Sequence, residues 1–161
     1  MRKFPAILTF LYVLVISSAC VHPVVMEGDS MKPTIKNGDR MFITSSFGEL
    51  QHGDIIMFRY PRDENKSFLK RVIGLPGERI AITGKKVLVN GQVRDEPYLD
   101  QTLNQTDRDM SEMIIEKDNY FVMGDNRDNS SDSRVWGTVG KDLITGKYYM
   151  TYYSTEKNGR E

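Results

Sequence analysis

Ser30 and Lys70 carry the side chains that a nucleophilic hydrolase requires. Ser30 lies in the segment Gly28–Thr34, after a flexible glycine and before a turn at Pro33. Lys70 interrupts the apolar run Phe68–Ile73. On the outer face of a strand this lysine would be solvated and charged, whereas among apolar groups its pKa would fall from about 10.4 towards neutrality. In the second case Lys70 can act as a general base for a serine hydroxyl.

A polar segment, Gly124–Arg134, is the second feature with chemical potential, because its eleven residues include no apolar side chain. It follows the apolar stretch Tyr120–Met123 and precedes Val135 and Trp136. One interpretation is a solvated loop. The other is a packed loop whose short side chains bond to one another. The composition of the segment leaves both open.

The histidines and the single cysteine offer little further chemistry. His22 ends the apolar N-terminal segment and His52 lies in the turn Gln51–Asp54, and neither is spaced for a Ser–His–Asp triad. The sequence has no His-x-x-x-His pair for a catalytic zinc. One cysteine, Cys20, excludes an intrachain disulfide framework and a four-cysteine metal site. We therefore expect no metal and no other cofactor.

The length and charge of the chain limit its class. Its 161 residues suit one domain and are too few for a TIM barrel or a two-domain dehydrogenase. The 22 basic and 22 acidic residues give a formal net charge of 0, which provides no reason to expect nucleic acid as a partner. The charged fraction of 27% and the aromatic fraction of 10% argue against wholesale disorder.

The N-terminus consists of a basic tip and an apolar segment. Arg2 and Lys3 precede Phe4–Val25, which lacks Asp, Glu, Lys and Arg and is long enough to span a bilayer as a helix. The strongest part, Ala6–Ile16, is short, and Ser17–Ala19 offers small residues where a secretory signal would be cut. The segment alone leaves a membrane anchor and a cleaved signal open. In both cases the basic tip stays in the cytoplasm and the globular part lies outside.

The rest of the chain is predicted to be mainly β and to form a curled, barrel-like sheet. The turn pair Asn90 and Gly91 predicts a hairpin within Lys86–Val93. The polar stretch Asp100–Glu112 is predicted to be a mobile loop. No sustained helical period follows residue 25. Period-two patterns and short apolar runs predict strands at Arg40–Thr44, Asp54–Tyr60, Ser67–Ile73, Arg79–Thr83, Lys86–Asn90, Met113–Ile115, Tyr120–Met123 and Ile144–Tyr153.

Three sequence blocks occur together in this chain. They are GDSMKPT at 28–34, KRVIGLPG at 70–77 and GDNRDNSSDSR at 124–134. In this order they resemble the bacterial type I signal peptidases, and the short form with one N-terminal apolar segment resembles the Gram-positive branch. The resemblance covers roughly residues 1–150. It implies a curled antiparallel or mixed β-sheet core, of the kind shared with SOS-response repressors, with one transmembrane helix and a small inserted β lobe.

The resemblance also implies a domain organisation and a location. Residues 1–25 would be the cytoplasmic tip and transmembrane anchor, residues 26–153 the extracytoplasmic catalytic domain with an insertion at about 78–118, and residues 154–161 a polar tail. The protein would be a single-pass protein of the cell membrane. Because tethering raises the local encounter rate with membrane-inserted signals, the resemblance favours a retained anchor. The implied partners are secretory preproteins and the lipid bilayer, without nucleic acid or metal.

The implied activity is that of a serine endopeptidase that removes signal peptides from secreted preproteins after small-x-small motifs. Ser30 matches the nucleophile, Lys70 the general base, and Ser130 a hydroxyl that hydrogen-bonds and orients the lysine. Further positions match residues that support the site. They are Asp132 and Arg134, together with Arg71 and Asp125, which are expected to pair across two strands.

The oxyanion site and the substrate site are expected beside Ser30. The backbone N–H of Ser30 is a natural oxyanion donor. Some relatives carry a serine two residues before the nucleophile as a second donor, but this chain has Gly28 there, so that donor is missing. We expect the substrate to lie extended against Val24–Gly28 and the Lys70 strand, as an added β-strand. The predicted contact or pocket residues are Met31, Leu69 and Val72.

Three other interpretations use the same residues. Ser67 and Lys70 form the Ser-x-x-Lys motif of penicillin-binding proteins, although that fold needs a longer chain and a helix at the serine. Self-cleaving Ser–Lys domains of SOS-response repressors share the catalytic logic but lack the apolar N-terminal segment. A catalytically inactive paralogue would bind signal peptides or serve a membrane complex without cleaving.

Overall fold

The computed structural model describes residues 21–155, and these residues are mainly β. The mainly β class predicted from the sequence is therefore confirmed for this part of the chain. Its helices are short: α1 (Ser133–Trp136) and 3-10 turns at Gln101–Leu103, Arg127–Asn129 and Lys141–Leu143. Its strands are β1 (Val21–Val25), β2 (Arg40–Thr44), β3 (Ile55–Tyr60), β4 (Asp63–Gly74), β5 (Arg79–Thr83), β6 (Lys86–Val89), β7 (Gln92–Val93), β8 (Met110–Ile114), β9 (Asn119–Met123), β10 (Val139–Gly140) and β11 (Ile144–Tyr153).

A seven-stranded antiparallel sheet in the order β1-β2-β11-β3-β4-β9-β10 forms the larger part of the fold. Alternation along β2 places Met41 and Ile43 in the core and the intervening side chains further outward. The C-terminal strand β11 lies between β2 and β3, and its register shifts against both neighbours. Such bulges increase the local twist of a sheet, and the predicted curl of this sheet stays a prediction.

A smaller sheet in the order β7-β6-β5-β8 forms the inserted lobe between β4 and β9. Asn90 and Gly91 both have positive φ, 52° and 78°, in the turn that joins β6 to β7. This confirms the predicted hairpin, because a two-residue turn of this kind favours Asn-Gly. The strands of the lobe fall within the predicted insertion at about 78–118.

Three clusters of buried side chains form the core. One surrounds the aromatic residues Phe58 and Trp136. A second lies between the two sheets and combines Phe121 and Met123 of the larger sheet with Ile80, Ile82 and other residues of the lobe. Because the lobe shares this core with the larger sheet, the two pack as one unit. The third cluster packs beneath the β1–β2 loop and contains Met26, Met31, Ile35, Met41, Ile43, Ile55 and Leu69.

The end of the predicted apolar segment Phe4–Val25 is a strand. β1 pairs with β2 along its whole length, from Val21 opposite Thr44 to Val25 opposite Arg40. Its valines favour extended backbone, and β2 supplies the hydrogen-bonding edge. The larger sheet therefore starts at Val21, whereas the predicted catalytic domain starts at residue 26. Between residues 21 and 155, no helix has both the length and the hydropathy to cross a membrane, and the earlier part of the predicted anchor lies outside the described residues.

Two predicted irregular segments contain defined structure. The stretch Asp100–Glu112 includes a 3-10 turn, and β8 begins at Met110. Asp100 caps that turn by accepting a hydrogen bond of 2.8 Å from the Thr102 amide. In the predicted tail 154–161, the Thr155 amide donates to Asp39 Oδ1 at 2.9 Å. Short polar side chains make these contacts, and their sequence shows no periodicity that would predict them.

Candidate active site

The loop between β1 and β2 places Ser30. The Met26 amide donates to the Asp39 carbonyl at 2.8 Å and closes the base of the loop. Asn126 holds the part of the loop that contains Ser30. Its backbone N–H donates to the Ser30 carbonyl at 3.0 Å, and its side-chain Nδ2 donates to the Asp29 carbonyl at 3.1 Å. The backbone on both sides of Ser30 is thus held by the polar segment that follows β9.

Lys70 lies in the interior of β4, and its Nζ is 2.8 Å from Ser30 Oγ. Only 4% of the residue is exposed. Its second hydrogen bond, of 3.1 Å, goes to the Leu69 carbonyl. The Phe68 ring lies 5.3 Å from Nζ. Lys70 is therefore the buried lysine that the sequence allowed, not the solvated one.

Burial lowers the pKa of Lys70 to about 8. Removal from water disfavours the ammonium form. The negative charges of Asp132 and Asp125 favour this form, and the positive charge of Arg134 opposes it. Near pH 8 a substantial fraction of the lysine is neutral and carries the lone pair that a base needs. The 2.8 Å contact with Ser30 Oγ and the lowered pKa of Lys70 are therefore both compatible with a lysine that acts as a base.

The polar segment Gly124–Arg134 is packed, not solvated. Asp132 is fully buried and receives both Nε and Nη2 of Arg134, at 2.8 and 2.7 Å. Burial opposes the charge on Asp132, but the Arg134 guanidinium keeps its pKa below the usual range. Asp132 also accepts the Gly124 amide at 3.1 Å. Asp132 and Arg134 thus satisfy each other within the segment, as the second interpretation required, while Arg71 and Glu96 satisfy the buried Asp125 and Arg127 from outside it.

Ser130 does not make the hydrogen bond expected of it. Its hydroxyl is buried and has no partner of acceptable geometry among the described residues, although it lies near enough to Asp132 to favour that carboxylate. Lys70 Nζ bonds to Ser30 and to the Leu69 carbonyl instead. A Cβ on Gly124 would lie 2.4 Å from Ser130 Oγ, so the loop packs directly on this side chain.

Arg71 of β4 and Asp125, which lies two residues after β9, form the expected ion pair. Nε and Nη2 of the guanidinium donate to the two carboxylate oxygens at 2.8 and 2.6 Å. Thr34 Oγ1 donates to the same carboxylate at 2.5 Å, and Arg71 Nη1 reaches the Gly53 carbonyl at 2.8 Å. Thr34 thereby ties the Ser30 loop to the strand that carries Lys70.

Two positioning residues, Thr34 and Asn126, were not singled out from the sequence. Both lie inside the blocks 28–34 and 124–134, whose short polar side chains were the available signal. Their partners are far away in the chain, so sequence spacing alone does not identify the contacts.

A groove of about 450 Å³ opens above Ser30 and Lys70. One wall is the chain from Val24 to Ser30 and the other is the part of β4 from Ser67 to Lys70, with Met41, Met57, Asn129 and Ser131 completing the lining. The two walls run where an extended peptide was expected to lie.

Of the three predicted pocket residues, the structure places only Leu69 on the groove. Met31 is fully buried in the cluster beneath the Ser30 loop, where its side chain holds the loop from below. Val72 is fully buried in the aromatic cluster with Phe58 and Trp136. Neither side chain lines the groove, because both pack in the apolar core.

The Ser30 amide is available for an oxyanion, since it donates no hydrogen bond to any residue in the described range. Gly28 has φ +84°, a conformation that favours glycine. Its amide is occupied by Asn37 Oδ1 at 2.8 Å, so it is not a spare donor. The Ser30 amide, and not the Gly28 amide, is therefore a free donor at these two positions.

The histidines lie away from Ser30 and Lys70. His52 Nε2 contacts Glu78 Oε2 at 2.8 Å, where Glu78 also accepts the Leu75 amide. His22 is exposed in β1. Across residues 21–155, the structure groups no three His, Cys, Asp or Glu side chains in a way that could hold a metal ion.

Comparisons with known proteins agree with this geometry. The protein-family model described as "Signal peptidase, peptidase S26" matches residues 2–153. Signal peptidase IB of Staphylococcus aureus (strain Mu50) is 32% identical over 89% of this chain and 84% of the relative. Signal peptidase I of Leptolyngbya laminosa is 35% identical over 83% of this chain and 70% of the relative.

A solved structure shares the fold. The crystal structure of a signal peptidase I from Enterococcus faecalis V583 superposes with a TM-score of 0.57 at 31% identity, over 63% of this chain and 98% of that one. Sequence and fold therefore point to the same family. Because the family match spans nearly all of the chain, and relatives of similar length share about a third of its residues, the protein belongs to the bacterial type I signal peptidases, the serine peptidases of family S26.

Proposed function

We propose that this protein cleaves signal peptides from secretory preproteins after small-x-small motifs, with Ser30 as the nucleophile and Lys70 as the general base. The observation that carries this proposal is the 2.8 Å contact between Ser30 Oγ and the buried Lys70 Nζ. The contact lies on a groove whose walls suit an extended peptide.

The proposed chemistry begins with neutral Lys70. Nζ takes the proton of Ser30 as the hydroxyl oxygen attacks the peptide carbonyl, and the resulting ammonium gives a proton to the leaving amine. A water molecule then attacks the acyl-enzyme while Lys70 again acts as the base. The Leu69 carbonyl keeps Nζ directed towards Ser30 through both steps. The free Ser30 amide stabilises the oxyanion.

The groove supports recognition of an extended substrate. A peptide strand between the two walls would place alternate side chains towards the protein, as in other complexes formed by strand addition. Met41, Met57 and Leu69 give the lining an apolar part. Small residues at the first and third positions before the cut fit such shallow pockets without steric conflict.

We also propose that the residues before β1 anchor the protein in the cell membrane with the N-terminus in the cytoplasm. With Val21 in the sheet, the uncharged segment Phe4–Cys20 has about 17 residues, the lower end of the range for a spanning helix. Arg2 and Lys3 set the orientation. An anchored enzyme meets signal peptides that are still in the bilayer.

The penicillin-binding-like alternative loses its geometric basis. It requires Ser67 and Lys70 to share a face, as residues three apart do on a helix. Both residues lie in β4, where an odd separation puts side chains on opposite faces. An inactive paralogue remains the alternative to test, since its fold would be the same.

The test is cleavage of a model preprotein by the detergent-solubilised full chain, with the N-terminus of the product identified by mass. Wild type should cut after a small-x-small motif. Ser30→Ala and Lys70→Ala should abolish cleavage without loss of the fold, and Lys70→Arg should fail because a guanidinium stays charged. Ser67→Ala tests the penicillin-binding-like alternative and should retain cleavage, because Lys70 Nζ contacts Ser30. A folded wild type that cuts no preprotein would favour the inactive paralogue, and cleavage by Ser30→Ala would move the nucleophile.

A further inference from the structure

The inserted lobe contributes two side chains to the polar network behind Ser30 and Lys70. Glu96 and Tyr98 lie in the segment that leaves β7. The Glu96 carboxylate receives Nη2 and Nη1 of Arg127 at 2.5 and 3.1 Å, and the two side chains are only 8% and 3% exposed. Tyr98 donates its hydroxyl to Glu96 at 2.6 Å. Burial raises the pKa of Tyr98, which keeps this hydroxyl a donor.

Arg127 transmits this contact to the polar segment. Its Nε donates to the Gly124 carbonyl at 3.0 Å, and its own carbonyl accepts Arg134 Nη2 at 2.9 Å. Arg134 in turn holds Asp132, whose charge acts on Lys70. A short chain of direct contacts therefore runs from the lobe to the groups that surround the lysine.

Tyr98 provides a second connection. Its ring lies over the Arg71 guanidinium, with the centroid 3.9 Å from Cζ. Arg71 is the partner of Asp125, which also binds Thr34 of the nucleophile loop. The ring shields this ion pair from water on the side of the lobe.

The lobe also contacts the polar segment through its backbone. Asp128 accepts the amides of Gln105 and Thr106 at 2.7 and 2.9 Å. The lobe thus contacts the segment at two successive residues, Arg127 and Asp128, while the shared apolar core holds β9 from beneath.

Glu96 is the main group that stabilises the positive charge of the buried Arg127 at this junction. Burial opposes the charge on Arg127, and the hydrogen bonds and negative charge of Glu96 restore it. Without that carboxylate, the buried guanidinium would turn towards water or compete with Arg134 for Asp132. Either change would move the carbonyl of Gly124, next to the residues that hold Ser30.

No residue between 94 and 109 lines the groove, so the lobe segment does not contact a bound peptide there. We propose that Glu96 and Tyr98 are positioning residues, which hold the polar segment and the Lys70 strand in their catalytic arrangement through Arg127 and Arg71. This proposal rests on the proposed function of Ser30 and Lys70. It makes the inserted lobe part of the catalytic apparatus.

The test compares Glu96→Gln with a matched control, Asp109→Asn, in the full chain. Asp109 lies in the same lobe and accepts only the Gly84 amide, at 2.9 Å, among the described residues. In Glu96→Gln, kcat should fall on the order of tenfold to a hundredfold with little change in KM, because alignment is lost and the groove is intact. Asp109→Asn should match wild type in both constants.

A double-mutant cycle separates positioning from general destabilisation. Glu96→Gln combined with Arg127→Gln should lower kcat no further than Arg127→Gln alone, because one residue acts through the other. All rates are measured well below each variant's unfolding temperature. Tyr98→Phe, which keeps the ring over Arg71 and loses only the hydroxyl, provides a milder variant if Glu96→Gln does not fold.

Hydrogen exchange gives a readout that does not depend on cleavage. The amides of Gly124 and Asn126, which donate to Asp132 and Ser30, should exchange about tenfold faster in Glu96→Gln and unchanged in Asp109→Asn. Unchanged exchange together with a normal kcat would overturn the positioning role, as would additive losses in the cycle. If wild type cleaves no preprotein, the proposed function fails, and the exchange rates still decide whether the lobe positions these groups.

Discussion

Lowering the pH through 8 should reduce cleavage in proportion to the protonation of Lys70. Burial places the pKa of this lysine at about 8 rather than 10.5. Roughly half of the enzyme then carries a neutral lysine at pH 8 and about a tenth does so at pH 7. A solvated lysine would be less than about 1% neutral at pH 8, so burial increases the competent fraction on the order of a hundredfold.

The assay is kcat/KM for a small-x-small peptide between about pH 6 and about pH 10, since this ratio reports the ionisation of the free enzyme. The rate should rise tenfold per pH unit well below 8 and level off above it, with one ionisation. His52→Gln is the control and should leave the profile in place, because His52 bonds to Glu78 away from the groove.

Two results would refute this reasoning. A rate that still rises tenfold per pH unit between pH 9 and pH 10 would mean that Lys70 is solvated in the working enzyme, with its ordinary pKa of about 10.4. A profile that is flat from pH 6 to pH 10 would remove lysine deprotonation from the mechanism altogether.

Two further predictions concern stability. Lys70→Met should be more stable than wild type by about 3 kcal/mol below pH 8 in urea unfolding. The folded-state pKa of Lys70 lies below its unfolded value, so the cost of burying its charge is complete below pH 8 and disappears as the pH rises towards 10.5. If Lys70→Met were more stable than wild type by the same amount at pH 7 and at pH 10, that result would contradict the assigned pKa. Asp125→Asn should lower the unfolding free energy by about 3–5 kcal/mol, because Arg71 would remain buried beside a neutral amide; a loss below about 1 kcal/mol would show that water replaces the carboxylate.

The strands were predictable because their patterns are local. Arg40–Thr44, Arg79–Thr83 and Ile144–Tyr153 were predicted with the bounds that the structure shows. β1 was missed because Val21–Val25 continues an apolar run, and its identity as a strand depends on pairing with β2. Local apolar content does not distinguish a strand edge from the end of a helix.

The site was predictable only in part. Composition left Lys70 either solvated or buried, and the order of three sequence blocks suggested its partner. The bonds of Thr34 and Asn126, and the link from Glu96 to Arg127, join residues far apart in the chain. The expected bond from Ser130 to Lys70 and the expected pocket position of Val72 are absent from the described residues, since proximity to a motif does not determine which atoms a side chain contacts.

The position of β11 has a consequence for biosynthesis. In the hydrogen-bonded order of the larger sheet, β11 lies between β2 and β3. On one side, β2 follows the Ser30 loop; on the other side, β3 pairs with β4, the strand that carries Lys70. Both residues leave the ribosome long before Ile144–Tyr153 does. The nascent chain therefore contains Ser30 and Lys70 before β11 can join the two parts of the sheet that carry them. Pairing between residues far apart in the sequence is slow in folding. The synthesis of β11 thus sets the earliest moment at which proteolytic capacity can arise.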